Sequence, residues 1–292
     1  MIMQSKIEST FSRIYSDKVL KKVEKYILYL ASFGFVIHLL IIFLKNYGFI
    51  DLSHIDSKLL SNPISALYTP FSFILIYEAY LLIFYIPRSF TTAIGKQFEI
   101  ISLIVIRKIF GDIPLVDLQS NWFDNQYNLQ LIFDLVGIIV IFFLIYLFRM
   151  AKDNLPKKPV SDKLDRFIAS KKFLSIVLLP VLIVICLLSF YNWISTSLIT
   201  NTFDQDLNYL FFNEFFTLLI VVDVFILLIS FQYTERYSQL IRNTGFIIST
   251  ILLRLSFSAV GLSSILLIIS GILFGLLILV IYNAMEKEPS NT

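Results

Sequence analysis

Residues 128–148 read NLQLIFDLVGIIVIFFLIYLF, an unbroken apolar stretch whose single charge is Asp134. A helix needs about 20 mostly apolar residues to cross the hydrocarbon core of a bilayer, within a range of roughly 17–25. This stretch is long enough, and it is not alone. Segments 26–44, 64–86, 208–230 and 262–283 meet the same test. Segment 172–190 meets it with Pro180 inside, where a kink is expected. Two more are marginal: 97–113 carries Glu99, Arg107 and Lys108, and 244–260 carries Arg254.

The composition of all 292 residues agrees, with 57% hydrophobic, 16% aromatic and 15% charged. A soluble domain carries about 25% charged residues, so the apolar excess excludes a soluble enzyme, a nucleic-acid-binding domain and a disordered chain. The lipid bilayer is the expected partner; nucleic acid is not. Cys186 is the only cysteine, which excludes a disulfide framework or thiolate cluster. His38 and His54 are too few for a typical zinc site. Nothing in the sequence forms an HExxH, GxSxG, P-loop or K⁺-filter motif. The expectation is therefore no catalytic residue, no metal site, no cofactor and no enzyme activity.

Charge placement tests the marginal pair. If all eight segments cross, both termini and three loops share one side, and 19 of the 24 Lys/Arg residues lie there. Lys45 and Lys58 are on the other side, among acidic loops carrying Asp112, Asp117, Asp124, Asp204 and Asp206. Arg107, Lys108 and Arg254 lie within segments. Were 97–113 to lie flat, the basic linker 149–172 would fall outside, against the positive-inside bias. The reading is eight crossings in a cytoplasmic (plasma or inner) membrane, with both termini cytoplasmic. Trp122 and Trp193 fall in outer loops near segment ends, where indoles favour the headgroup layer. Residues 1–25 lack the apolar core and cleavage site of a signal peptide. Their Ile7, Phe11, Ile14 and Tyr15 oppose Lys6, Arg13, Asp17 and Lys21, which predicts an amphipathic helix on the membrane surface.

The sequence also matches itself. At an offset of 145, Ser16-Asp17-Lys18 falls on Ser161-Asp162-Lys163, Phe71 on Phe216, Glu78 on Asp223 and Leu82 on Leu227. At 147, Ile100-Ile101-Ser102 falls on Ile247-Ile248-Ser249, followed by Ile104/Ile251, Arg107/Arg254 and Phe110/Phe257. Isoleucine matches are cheap here; serine, arginine and phenylalanine in register with a membrane acid are not. The predicted fold is an all-α integral membrane protein of about eight transmembrane helices, arranged as two tandem four-helix repeats. Residues 1–150, with the amphipathic N-terminal segment, form one unit and 151–292 the other, split at the linker 150–171. An even number of crossings per unit gives the copies parallel orientation, a repeat type that transporters share without owning.

Each unit carries an acid and an arginine on consecutive segments. Counted at 1.5 Å per residue, Glu78 and Asp223 lie about 12 and 10 Å deep, and both arginines about 15 Å. An unpaired charge at the bilayer centre costs at least about 2.5–3.5 kcal/mol. Two ion pairs are therefore expected, Glu78–Arg107 and Asp223–Arg254. They either fix helix register or line a polar path for an ion, a proton or an anionic substrate. Asp134 has no counterpart in the second unit, which makes it the candidate for an asymmetric site, with Lys108 as its potential partner. His38, mid-segment, is expected to bond a neighbour rather than shuttle protons, and Tyr77, Tyr80 and Tyr85 carry hydroxyls close to Glu78 in sequence. Glu99 and Glu214 sit near segment ends, where they snorkel or pair locally. Gly271 and Gly275 form a GxxxG for helix packing inside the bundle or for dimerisation.

Two functions fit. One is an ion or small-solute transporter or channel with a polar site between the repeats, which requires a hydrated cavity reaching the charged residues. The other is a non-transporting scaffold, sensor or assembly subunit, which requires a dry core and an exposed surface for a second copy or a membrane partner subunit.

Overall fold

The computed structural model describes residues 2–50, 60, 62–113, 116–117, 121–155, 162–200, 207–234, 236–259 and 261–287. Within these the chain is helical: α1 (Ile2–Ile14), α2 (Asp17–Asn46), α3 (Tyr68–Tyr85), α4 (Phe90–Asp112), α5 (Gln126–Asp153), α6 (Asp162–Thr200), α7 (Leu207–Tyr233), α8 (Tyr237–Leu255) and α9 (Leu262–Lys287). A short 3₁₀ turn, Pro63–Leu67, leads into α3. The predicted linker positions 156–161, the acids Asp204 and Asp206, Lys58 and the side chain of Trp193 lie outside the described residues.

Local chemistry sets the starts. The Ser16 side chain accepts the Val19 amide of α2, Ser89 the Thr92 amide of α4, and Asn125 the Tyr127 amide of α5. Each satisfies one of the backbone donors a helix leaves open at its first turn. Capping explains why α4 begins at Phe90 rather than at residue 97. Its first turns are polar, with Thr91, Thr92, Lys96 and Gln97, and hydropathy skips them. α8 likewise starts at Tyr237 and ends at Leu255, ahead of the segment 244–260 read from apolarity. α6 continues through Pro180 for 39 residues.

Six stretches are long and apolar enough to cross a membrane: Lys6–Asn46, Pro63–Tyr85, Gln126–Asp153, Asp165–Asn192, Glu214–Tyr233 and Leu262–Lys287. The chain is a polytopic, all-α membrane protein in architecture. α4 and α8 are not among the six, and their position explains their polarity. α4 packs on α3, α5 and α8, and α8 on α4, α7 and α9, while α5 and α9 pack on each other. Arg107 of α4 and Arg254 of α8 are buried against protein. α2 is the opposite case, packed on α3 and its preceding turn with 11% of its apolar window buried.

The N-terminal helix is shorter than the segment 1–25. The chain breaks at Tyr15 and Ser16, so residues from Asp17 onward already belong to α2. The apolar face of α1 turns to protein. Phe11 and Ile14 pack on the core, Tyr15 is buried, and its hydroxyl donates to the Ser175 carbonyl of α6 at 2.6 Å. Lys172 of α6 pairs with Glu8 and lies over the Phe11 ring. The aromatic face of α1 thus packs on α6.

Candidate functional site

α3 and α4 bring Glu78 and Arg107 together, with Oε2 and Nη2 3.8 Å apart. Both side chains are buried. Arg107 Nη1 also donates to the Phe71 carbonyl on α3 at 3.2 Å, and the Phe71 ring stacks on Phe110 of α4 at 5.4 Å. Arg107 therefore ties two turns of α3 to α4. Glu78 Oε2 has no hydrogen-bond donor, so its stabilisation is chiefly the charge beside it. The tyrosines do not supply one: the buried Tyr80 hydroxyl is itself unpartnered, and its ring stacks on Tyr15. Residues 78 and 80 are two apart on a helix and so face different ways.

α7 and α8 bring Asp223 and Arg254 together more tightly, Oδ2 and Nη1 being 2.5 Å apart with both residues 3% exposed. Thr250, one turn before Arg254, donates to the same carboxylate oxygen at 2.8 Å. Phe216 stacks on Phe257 at 4.3 Å with the rings almost parallel. Leu103 stands where the offset of 147 would place a partner for Thr250, so Glu78 lacks the hydroxyl that Asp223 has.

Asp134 of α5 is fully buried. It accepts from Gln130 Nε2 at 2.6 Å and lies 3.7 Å from the half-exposed Lys108 of α4. Gln130 and Asp134 are one turn apart on the same helix face. The four charges and this pair do not converge: they are three separate contacts, each linking consecutive helices. His38 on α2 is bonded to Thr69 of α3 through Nδ1 at 2.7 Å. Glu99 pairs locally with Lys96.

Gly271 and Gly275 are interior. A Cβ on Gly271 would lie 3.1 Å from the Ser249 carbonyl of α8. One on Gly275 would come 2.8 Å from Phe98 of α4 and 2.9 Å from Ser249 Oγ. Ser249 Oγ donates to the Gly271 carbonyl at 2.6 Å. The motif seats α8 and α4 on α9 within one chain, and its small residues permit that close approach.

Two residues that sequence reading passed over matter here. Lys171 reads as part of a basic linker, yet it is 3% exposed. Its Nζ donates to the Arg88 carbonyl at 2.8 Å and lies over the Phe90 and Phe167 rings. It joins α6 to the α3–α4 turn. Gln97 of α4 is buried as well. Together with Asp223 and Thr250 they face a cavity of about 30 Å³, otherwise lined by apolar side chains. That is room for a water or two. A second, open cleft of about 510 Å³ lies between the end of α7, α8 and α9 and is chiefly apolar. Neither is lined by Glu78, Arg107 or Asp134. Among the described residues no group of three or more His, Cys, Asp or Glu side chains gathers to hold a metal.

Comparison with protein families, with curated proteins and with solved structures finds no match to this chain.

Proposed function

We propose that this chain is a non-transporting assembly subunit of the cytoplasmic membrane, with eight crossings and both termini cytoplasmic, built from two four-helix units of parallel orientation. The observation that carries the reading is the state of the charges. Asp223 and Arg254 are in direct contact inside packed helices, and the space beside them holds only a water or two. A conducting path needs continuous hydration; a register pin needs burial and a partner. Intramembrane ion pairs of this kind suit the pin.

Three contacts support the two-unit reading. The acid–arginine pair recurs at offsets of 145 and 147, and so does the phenylalanine stack: Phe71–Phe110 in one unit, Phe216–Phe257 in the other. The helix pairings α2·α3, α3·α4 and α4·α5 recur as α6·α7, α7·α8 and α8·α9. Eight crossings are supported by the inner position of α4 and α8. At 23 and 19 residues and 1.5 Å per residue, each is about as long as the hydrocarbon core is thick.

Transport remains the second reading, favoured by one observation: Lys171, Gln97, Asp223 and Thr250 bring polar groups from both units to one cavity. Reconstitution into liposomes separates the two. Folded protein should carry no ion or solute flux across a broad panel. Flux of any of them through the folded protein would overturn the assembly reading.

A further inference from the structure

We infer that α2 of one copy of this chain docks in the cleft between α7, α8 and α9 of a second copy, repeating between chains the contact that α6 makes within one. The inference rests on the two-unit reading and names the partner that the assembly subunit takes.

The same helix face is closed in the first unit and open in the second. Ile86, Phe90, Ala93, Ile94 and Gln97 are covered by α6, α7 and α8, which leave only the 30 Å³ cavity. Moved by 145 for the first and 147 for the others, these positions become Phe231, Tyr237, Leu240, Ile241 and Thr244. All five line the open cleft of about 510 Å³. Repeat units that each bury a face on their neighbour leave the terminal face uncovered until another unit caps it.

The covering helix has an open counterpart too. α6 meets the α3–α4 face through Lys171, over the Phe90 ring, and through Ser175, whose hydroxyl oxygen lies 3.3 Å from the Ile83 carbonyl oxygen and 3.1 Å from that of Lys171. Lys171, Ser175, Leu178 and Leu182 form a buried stripe at helical spacing. Shifted by 145, the stripe becomes Tyr26, Leu30, Phe33 and Ile37 on α2, and these are 67, 52, 66 and 40% exposed. A stripe and a cleft for one more such contact are thus left over on every chain. Its own α2 does not close the cleft: Gly34 seats α2 against Thr69 and Phe73, and His38 bonds Thr69, which holds the stripe away from α3. A second copy in the same membrane has the same orientation. Its α2 therefore runs in the direction that α6 runs, and it continues the interface already formed inside the chain. Bulky apolar side chains fitted into a groove supply the packing that drives helix association in lipid.

Cross-linking tests this. In a Cys186→Ser background, Tyr26→Cys on one tagged copy and Tyr237→Cys on a second, differently tagged copy stand for the Lys171–Phe90 contact. The two are co-reconstituted in phospholipid vesicles and treated with a bismaleimide, whose spacer replaces the reach of the two side chains. A linked species of twice the 33.9 kDa chain mass, carrying both tags, is expected. Met150→Cys, uncovered at the same cytoplasmic end of α5, replaces Tyr26→Cys as the control for random encounter and should give at least tenfold less. Leu30→Ala with Phe33→Ala, both uncovered in the single chain, should reduce the dual-tag product at least tenfold while leaving helix content unchanged. Linking no stronger than the control, or linking only when both cysteines are on one chain, overturns the inference. Its failure is distinct from failure of the assembly reading: a linked pair that conducts solute refutes the latter alone, and an unlinked, non-conducting chain refutes the former alone.

Discussion

Replacing Arg254 by methionine removes the guanidinium in direct contact with Asp223 and keeps a similar side-chain volume. Asp223 is 3% exposed and loses a partner 2.5 Å away. Breaking a buried ion pair from one side costs about 3–5 kcal/mol, because the remaining charge is left without compensation. At about 1.4 kcal/mol per decade, that is two to three and a half orders of magnitude in the unfolding equilibrium. Asp223→Leu should cost a similar amount through Arg254. Thr250 adds little to that loss, since its one hydroxyl proton can turn to the Ile247 carbonyl, 2.8 Å away, and is not left orphaned. The double variant removes both charges, and replacing a buried pair by apolar residues is often neutral or stabilising. It should therefore lie within about 1 kcal/mol of the parent. The assay is unfolding by a denaturing detergent in mixed micelles, followed by helix circular dichroism for all four corners of the cycle. Strong coupling is the signature of a pair whose role is structural. A double variant as unstable as the sum of the single ones, about 6–10 kcal/mol, would refute the reasoning, since residues with no mutual interaction add.

The Glu78–Arg107 pair should couple less. At 3.8 Å it is looser, and Arg107 keeps the Phe71 carbonyl, so Glu78→Leu should cost about 1–3 kcal/mol in the same assay. Gly275→Ala should cost about 1–3 kcal/mol by overpacking, because its Cβ meets Phe98 at 2.8 Å. Adding Phe98→Leu should recover part of that loss in thermal unfolding; no recovery would show that the helix contact lies elsewhere. Lys171→Met removes the donor to the Arg88 carbonyl and two ring contacts, and should lower stability by about 1–3 kcal/mol. If Lys171 belonged to a solvated linker, the same change would be silent. Cysteines at Asp117 and Ser161, in a Cys186→Ser background, should react with an impermeant thiol reagent from opposite sides of the membrane. Labelling from one side would overturn eight crossings.

The pairings of Glu78 with Arg107 and Asp223 with Arg254 were readable because a charge in an apolar segment has few ways to exist, and consecutive helices offered each acid one base at matching depth. Lys171 was not readable. On a basic linker one lysine resembles the next, and only the docking of α6 against the α3–α4 turn separates it from Lys172, whose charge reaches the exposed Glu8 instead. The N-terminal helix shows the same limit, since an amphipathic face records that something apolar covers it without recording whether that is lipid or α6.

The sequence by itself determined the solvent, the helices and the inventory of charges, because hydrophobic length, capping and the cost of bare charge are properties of short stretches. Tertiary structure decided which surface each helix meets. It set α4 and α8 inside, left α2 outside, closed the face of α4 that carries Phe90 and Ile94, and left a cleft beside α8 open. Those outcomes depend on where distant segments arrive relative to one another, and no single stretch carries that information.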